Sequence, residues 1–228
     1  NLGIRKSVGK FIMRLDGHKI YPKNYVSTLL NFMEKNPLVG NVGCRIKSVS
    51  YKNSLKEFSI TNVVSSSFGV GNSKFRLKNK NNRKYCEEVD TVPFGCFRKK
   101  LFKDIGLFDE KFIKNQDDEF NLRIKKSGLK IILLNSLVVK DFVRTNFKKL
   151  FLMFFYYGYY KPMIWKKHKK ISTVRQIIPL LNLKNFFLSF PLIFFGVYLF
   201  FYIFNIYILF LLISSFYLAY KSKKLISI

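Results

Sequence analysis

The chain has 228 residues, 49% hydrophobic and 18% aromatic, with a formal net charge of +28 from 41 Lys and Arg against 13 Asp and Glu. The charge runs along the whole chain and is not gathered into a stripe with interleaved aromatics, which argues against nucleic-acid readout. It leaves a plain Lys- and Asn-rich composition, an anionic membrane surface or anionic substrates. Cys44, Cys86 and Cys96 are widely spaced, odd in number and without a CxxC pair, so they read as reduced thiols and not as a disulfide framework. With only His18 and His168 as histidines, a zinc site built on Cys and His is not expected.

In chain order, Lys10 to Asp16 reads as a short buried strand that delivers Asp16 to its C-terminal edge. Pro22 opens a helix over Lys23 to Lys35, with Tyr25, Leu29, Leu30, Phe32 and Met33 as its apolar stripe, and Asn36-Pro37 ends it. Val39 to Tyr51 reads as a strand. Asn72 to Lys84 is dense in Asn, Lys and Arg and reads as a loop, either a substrate-gated flap or a plain solvated one. Val89 to Phe97 returns to strand character, and Lys99 to Ile105 is a short helix. Asp117 to Ser127 is a helix closed by Gly128, and Leu129 to Leu134 is a strand. This alternation predicts an α/β domain with a mostly parallel sheet and flanking helices, with ligands at the C-terminal strand ends.

The apolar excess lies after residue 150. Asn185 to Tyr220 contains no charged residue, more than the roughly 20 residues one span needs. Lysines precede it (Lys161, Lys166, Lys167, Lys169, Lys170) and follow it (Lys221, Lys223, Lys224). Basic flanks at both ends favour a hairpin of membrane helices turning near Asn205, with both ends cytoplasmic; one long tilted span is the alternative. Residues 147–170 mix Tyr156, Tyr157, Tyr159, Tyr160 and Trp165 with lysines. They read as an amphipathic stretch on the membrane surface or as a segment packed on the domain.

Three constellations carry chemistry. Arg14-Leu-Asp16-Gly-His18 puts an acid at a strand end with a second possible ligand two positions on, a set that suits Mn²⁺ or Mg²⁺, although an Asp-x-His pair alone is a weak signal. Asn115-Gln-Asp117-Asp118-Glu119 gathers three carboxylates in a chain poor in acids. It serves either as a proton acceptor of raised pKa or as an acidic helix start favoured by the helix dipole. Asp90-Thr-Val-Pro93-Phe94-Gly95 places a glycine where a ligand could approach the backbone, or where the chain simply bends, and is followed by Gly106-Leu-Phe-Asp109-Glu110.

In this order the three resemble the family-2 glycosyltransferases, nearest to the succinoglycan-type glucosyltransferases of bacterial exopolysaccharide synthesis. Asn1-Leu-Gly3-Ile4, Gly9-Lys-Phe-Ile12, Tyr157-Gly-Tyr-Tyr-Lys161 and Lys167-His168 add to the likeness, which covers residues 1–180. The resemblance implies a nucleotide-diphospho-sugar transferase fold, incomplete at its N-terminus because the chain begins at Asn1 partway into the domain, plus C-terminal membrane helices. It implies an inverting transfer from a nucleotide-sugar donor to a lipid-linked saccharide acceptor at the cytoplasmic face of the inner membrane, with no nucleic acid involved. Asp117 would be the catalytic base. Asp16 and His18 would hold the divalent metal, His18 standing where the family has a second acid. Phe94, Gly95 and Asp118 would meet the acceptor, and Asn1, Gly3 and Asp16 the donor. The expected divisions are 1–146 for the partial catalytic domain, 147–184 for the membrane-surface segment, 185–220 for the hairpin or single span, and 221–228 for a basic cytoplasmic tail. Residues 1–228 alone are expected to bind donor weakly and to be inactive. The rival reading is a non-catalytic membrane protein whose basic cytoplasmic domain binds anionic lipid or polymer.

Overall fold

The computed structural model describes residues 1–52, 54–71, 73–77, 84–169, 177–194 and 198–221. Most of the predicted loop at 72–84 and the tail beyond Lys221 lie outside them. The helices are α1 (Leu2–Lys6), α2 (Tyr25–Lys35), α3 (Leu55–Val64), α4 (Ser67–Val70), α5 (Leu101–Asp104), α6 (Gln116–Lys126), α7 (Phe147–His168), α8 (Ile178–Phe194) and α9 (Leu199–Lys221). The strands are β1 (Phe11–Met13), β2 (Lys19–Ile20), β3 (Val39–Val49), β4 (Cys86–Glu88), β5 (Cys96–Arg98) and β6 (Lys130–Phe142).

The sheet order is β1-β5-β3-β6-β2, with β4 also on β6. Helices flank it on both faces, so the α/β architecture holds. The mostly parallel sheet does not. Only β3 and β6 run parallel, while β1–β5, β3–β5, β2–β6 and β4–β6 are antiparallel. Four of the six strands are two or three residues long. Parallel pairing is the less stable geometry per residue, and pieces this short gain more from the antiparallel one.

The parallel β3–β6 ladder is the spine of the domain. Alternate residues send Val42, Cys44, Leu134 and Val139 toward Tyr25, Leu29 and Met33 of α2. The other face sends Ile131 and Leu133 toward Leu101, Phe102, Phe120 and Ile124 of α5 and α6. The buried stripe of α2 is the predicted one. Burial pushes the thiols of Cys44 and Cys96 up to about 12, which makes them inert core residues. The predicted strand over Val89 to Phe97 survives only from Cys96. Pro93 lacks an N–H and Phe94 takes a left-handed φ of 50°, and neither continues a ladder.

α7 packs one side on the domain, with Tyr160 and Ile164 buried against Phe112 and Leu122. Phe151, Phe155 and Tyr159 remain exposed. The segment is thus packed on the domain along one side. α8 and α9 lie against each other through Phe186 and Phe204 (ring centroids 4.9 Å apart), and Phe68 of α4 meets Phe210 of α9 at 5.7 Å. Asn205 lies inside α9, so the chain does not make the expected turn there. Asn205 donates its side-chain N–H to the Phe201 carbonyl at 2.8 Å and so satisfies itself inside α9. Leu199–Tyr220, with mean hydropathy 2.2 and 6% burial, is the one helix among the described residues that is long and apolar enough to cross a membrane.

Candidate active site

Past Met13 the chain leaves the sheet edge through Arg14, whose backbone N–H donates to the Gly95 carbonyl at 3.2 Å. The backbone N–H of Asp16 donates to the Tyr21 hydroxyl at 2.8 Å, which ties down the turn after the strand. Arg14 then holds two carboxylates. Its Nε is 3.7 Å from Asp16 Oδ1 and its Nη1 is 3.9 Å from Asp117 Oδ2. One guanidinium joins the acid predicted for the metal to the acid predicted as base.

The acidic run enters α6 from Asn115, which sits at φ 62° and donates to the Tyr157 carbonyl of α7 at 3.1 Å. Successive helical residues point about 100° apart, so the three acids part company. Asp117 turns to Arg14. Asp118 forms an ion pair with Lys161 of α7. Glu119 is fully buried and accepts from Arg123 Nη2 (2.7 Å), Lys167 Nζ (2.8 Å) and, across a His contact, meets His168 Nε2 (2.9 Å). Arg123 also caps the carbonyls of Ile105, Gly106 and Leu107, and Lys167 pairs with Asp109 at 2.8 Å. The structural reading of this run is met at Glu119, which is buried among its ion pairs, while Asp117 stays partly open beside Arg14.

Crowding by protein atoms, and next the charge of Asp118, push the Asp117 pKa above the ordinary carboxylate value, while Arg14 and Lys161 oppose the shift. Its side chain nevertheless keeps 38% of its surface open. A reachable carboxyl of raised pKa is suited to accepting a proton from a hydroxyl. Glu119 goes the other way. Burial alone would raise it, but Arg123, Lys167 and His168 together hold it below its usual value of 4.5. A depressed carboxylate stabilises the fold above its unfolded pKa, and that contribution is lost as pH falls through the folded value. The melting temperature is accordingly expected to fall as pH drops below about 4.5, and to do so less in Glu119→Gln, as a thermal melt at stepped pH would record.

His18 is exposed, and its pKa is lowered by partial desolvation first, then by the Lys19 charge, with Asp16 pulling upward and Arg144 downward. The imidazole is neutral at pH 7, the form that binds metals. Among the described residues no three His, Cys, Asp or Glu side chains converge. The carboxylate of Asp16 and the imidazole of His18 are of donor types that a divalent cation accepts beside phosphate oxygens and water.

Gly95 is required for packing. A Cβ there would stand 2.1 Å from Asn41 Oδ1. Asn41 donates to Asn121 Oδ1 and Asn121 to Thr91 Oγ1, each at 2.8 Å, a buried chain running beneath Asp117 one helical turn on. Gly95→Ala is expected to cost about 1–3 kcal/mol by overpacking and to impair catalysis by shifting α6, read as a lower melting temperature together with a lower kcat. The Phe94 ring lies in the core against Tyr21 (5.9 Å), and its carbonyl accepts from the Tyr25 hydroxyl at 2.6 Å. What Phe94 offers an acceptor is therefore backbone. Asn1 donates to the Phe108 carbonyl and to Glu110 Oε1, at 2.8 and 2.7 Å. A Cβ on Gly3 would meet nothing within 4 Å. No described contact joins Asn1 or Gly3 to Asp16.

Sequence reading gave no role to Arg14, Lys161 or Tyr157. Arg14 had a local signal, its place two residues before Asp16. Lys161 had none beyond a repeated tyrosine motif, because its partner lies on another helix.

The protein-family model of glycosyl transferase family 2 matches residues 1–106. The chain carries a family 2 glycosyltransferase domain. That stretch of the glycosyltransferase domain takes in Asp16, His18, Phe94 and Gly95 and ends before α6. The dolichyl N-acetyl-alpha-D-glucosaminyl phosphate 3-beta-D-2,3-diacetamido-2,3-dideoxy-beta-D-glucuronosyltransferase of Methanococcus voltae is 30% identical over 176 residues, covering 73% of this chain and 51% of the relative. Succinoglycan biosynthesis protein ExoA of Rhizobium meliloti (strain 1021) is 26% identical over 172 residues, covering 75% and 49%. The chain thus spans about half the length of the curated relatives it matches. Among solved structures, the mannosyltransferase PcManGT from Pyrobaculum calidifontis in complex with GDP-Man and Mn²⁺ aligns over 79% of this chain and 45% of its own, at 12% identity and a TM-score of 0.48.

Proposed function

We propose that the protein transfers a sugar from a nucleotide-diphospho-sugar to a hydroxyl of a lipid-linked saccharide, with inversion at the anomeric carbon, in polysaccharide synthesis. The observation that carries this reading is the Arg14 bridge, which brings Asp16 and Asp117 to one guanidinium. Asp117 takes the proton of the acceptor hydroxyl as its oxygen attacks the anomeric carbon. The bond from that carbon to the diphosphate breaks, and the nucleoside diphosphate leaves with the electron pair. Asp118, paired with Lys161, stands beside Asp117, and its charge helps to raise the Asp117 pKa. Asp16 and His18 would hold Mn²⁺ or Mg²⁺, which when bound neutralises charge on the departing diphosphate.

The names of the two relatives, one acting on a dolichyl-linked sugar phosphate and one in succinoglycan biosynthesis, support a lipid-linked acceptor. α9 is the membrane-crossing helix in this reading, and the lysines before the apolar segment favour the cytoplasmic side of the inner membrane for the catalytic domain. Holding enzyme and acceptor in one bilayer raises their effective concentration.

Membranes containing the whole protein, given a labelled nucleotide-sugar and a lipid-linked saccharide extract, are expected to move label into the lipid fraction in the anomeric configuration opposite to the donor's. Asp16→Ala is expected to abolish the incorporation. Label that enters lipid equally in the variant would overturn the site, and retention of configuration would overturn the single displacement.

A further inference from the structure

Three cations outside the Arg14 bridge converge beside it, and the reaction above leaves them unused. Lys19 on β2 pairs with Asp141 on β6. Arg76, after α4, brings Nη1 to 3.5 Å from Asp141 Oδ2 and donates to Ser48 Oγ at 3.4 Å. Arg144 lies three residues beyond Asp141, is exposed, and enters none of the ion pairs among the described residues. Asp141 thus pairs with two of the three cations, while Arg144 and Arg76 both act on Lys19, with Asp16 opposing them.

The imbalance is costly where the cluster is enclosed. The Arg76 side chain is only 22% exposed, and its one carboxylate partner among the described residues is shared with Lys19. A cation taken this far from water needs more compensation than that. The cluster also has a definite position. Arg76 and Arg144 lie close enough for their charges to act on the Tyr157 hydroxyl, which Asp117 and Asp118 act on as well. Lys19 and Arg144 act likewise on His18. On its other side, Arg144 stands two residues before Asn146, the residue that caps α7, whose Phe151, Phe155 and Tyr159 are exposed.

We propose that Lys19, Arg76 and Arg144 form a subsite for the diphosphate of the lipid-linked acceptor. The inference rests on the transferase reading and deepens it. The excess of cations over carboxylates at this point suits the negative charge of a diphosphate diester, and guanidinium forks bind phosphate oxygens bidentately. In that reading the donor's diphosphate belongs at Asp16 and His18, so a second cation cluster serves a second diphosphate. An acceptor held here has its sugar beside Asp117 and its hydrocarbon chain toward the aromatic side of α7.

Calorimetry on the whole protein in detergent micelles separates the sources of a diphosphate, with farnesyl diphosphate as the isoprenoid probe and uridine diphosphate as the nucleotide probe. Arg144→Gln is the variant of choice because the side chain is exposed and its loss leaves the core intact. It is expected to weaken farnesyl diphosphate roughly tenfold, the loss of one charge-assisted contact, while Arg144→Lys recovers part of the affinity and uridine diphosphate binding stays unchanged. Unchanged farnesyl diphosphate affinity in Arg144→Gln would overturn the subsite, as would failure of the wild-type protein to bind that probe. An equal loss for uridine diphosphate would also overturn it, by assigning the cluster to the nucleotide. Binding is read without turnover, so failure of the transferase reading shows separately: an intact Arg144 effect in a protein that transfers no sugar keeps the diphosphate subsite and removes the reaction.

Discussion

Asp117→Asn is expected to lower kcat by about 10²–10⁴-fold, the range for losing a general base, with the melting temperature and the donor KM unchanged. The amide keeps the size of the carboxyl and its place near Arg14 but cannot take a proton. The pH profile provides a second readout. The base acts only when ionised, so activity falls as pH drops through the Asp117 pKa, which crowding and the Asp118 charge place above the ordinary carboxylate value. Asp118→Asn removes the second of these causes, so its acid limb is expected at lower pH than that of the wild type. An Asp117→Asn protein with near-normal kcat would move the role of base elsewhere, and an unmoved limb in Asp118→Asn would show that the two acids do not sense each other.

The largest expected effect on stability is at Arg123. It carries no chemistry, yet it meets both oxygens of the fully buried Glu119 and three consecutive backbone carbonyls. Arg123→Met leaves a buried carboxylate with less compensation and those carbonyls without their donor. The expected cost is about 3–5 kcal/mol, the usual penalty for breaking a buried pair from one side, seen as a melting temperature lower by about 6–20 °C at this chain length. The double variant Arg123→Met with Glu119→Gln is expected to recover part of that loss, because no charge is then stranded. If Arg123→Met melted with the wild type, the Glu119 knot would not be a main support of the fold.

Much of this was legible in the residues, for reasons that are local. The stripe of α2 repeats every turn and names its own buried face. Gly128, at φ 80°, closes α6 where a C-cap glycine is expected. Asp16 does lie just past a strand, and Asp117 in the first turn of a helix. The helix α3 was missed although Ser54 and Glu57 have the spacing of a capping box, and Ser54 Oγ does accept from the Glu57 N–H at 3.3 Å. Strand direction was misjudged because periodicity marks which side of a strand is buried and not which way it runs. The partition of the acidic run could not be read, because the partners of Asp118 and Glu119 are Lys161, Lys167 and His168, more than forty positions away on α7. The position of Phe94 was hidden similarly: a left-handed residue between Pro93 and Gly95 turns its ring inward, and no pattern in a single chain announces that.

α7 also has a consequence for its own alignment along the domain. Its buried contacts, Tyr160 and Ile164, stand four residues apart, and Tyr156 precedes them at the same interval. An apolar stripe of that kind looks nearly the same after sliding by one turn of about 5.4 Å, so greasy packing alone leaves the helix free to seat in more than one place. The side-chain pairs do not repeat in this way. Asp118 takes Lys161 and Glu119 takes Lys167 and His168, and no slide of one turn preserves these side-chain pairs, whereas the backbone carbonyl that Asn115 takes recurs at every turn. These pairs act as the teeth of a key, selecting one seating of α7 out of several that hydrophobicity would accept. In the chosen seating, the helix nearest the proposed lipid side sets the electrostatic surroundings of Asp117.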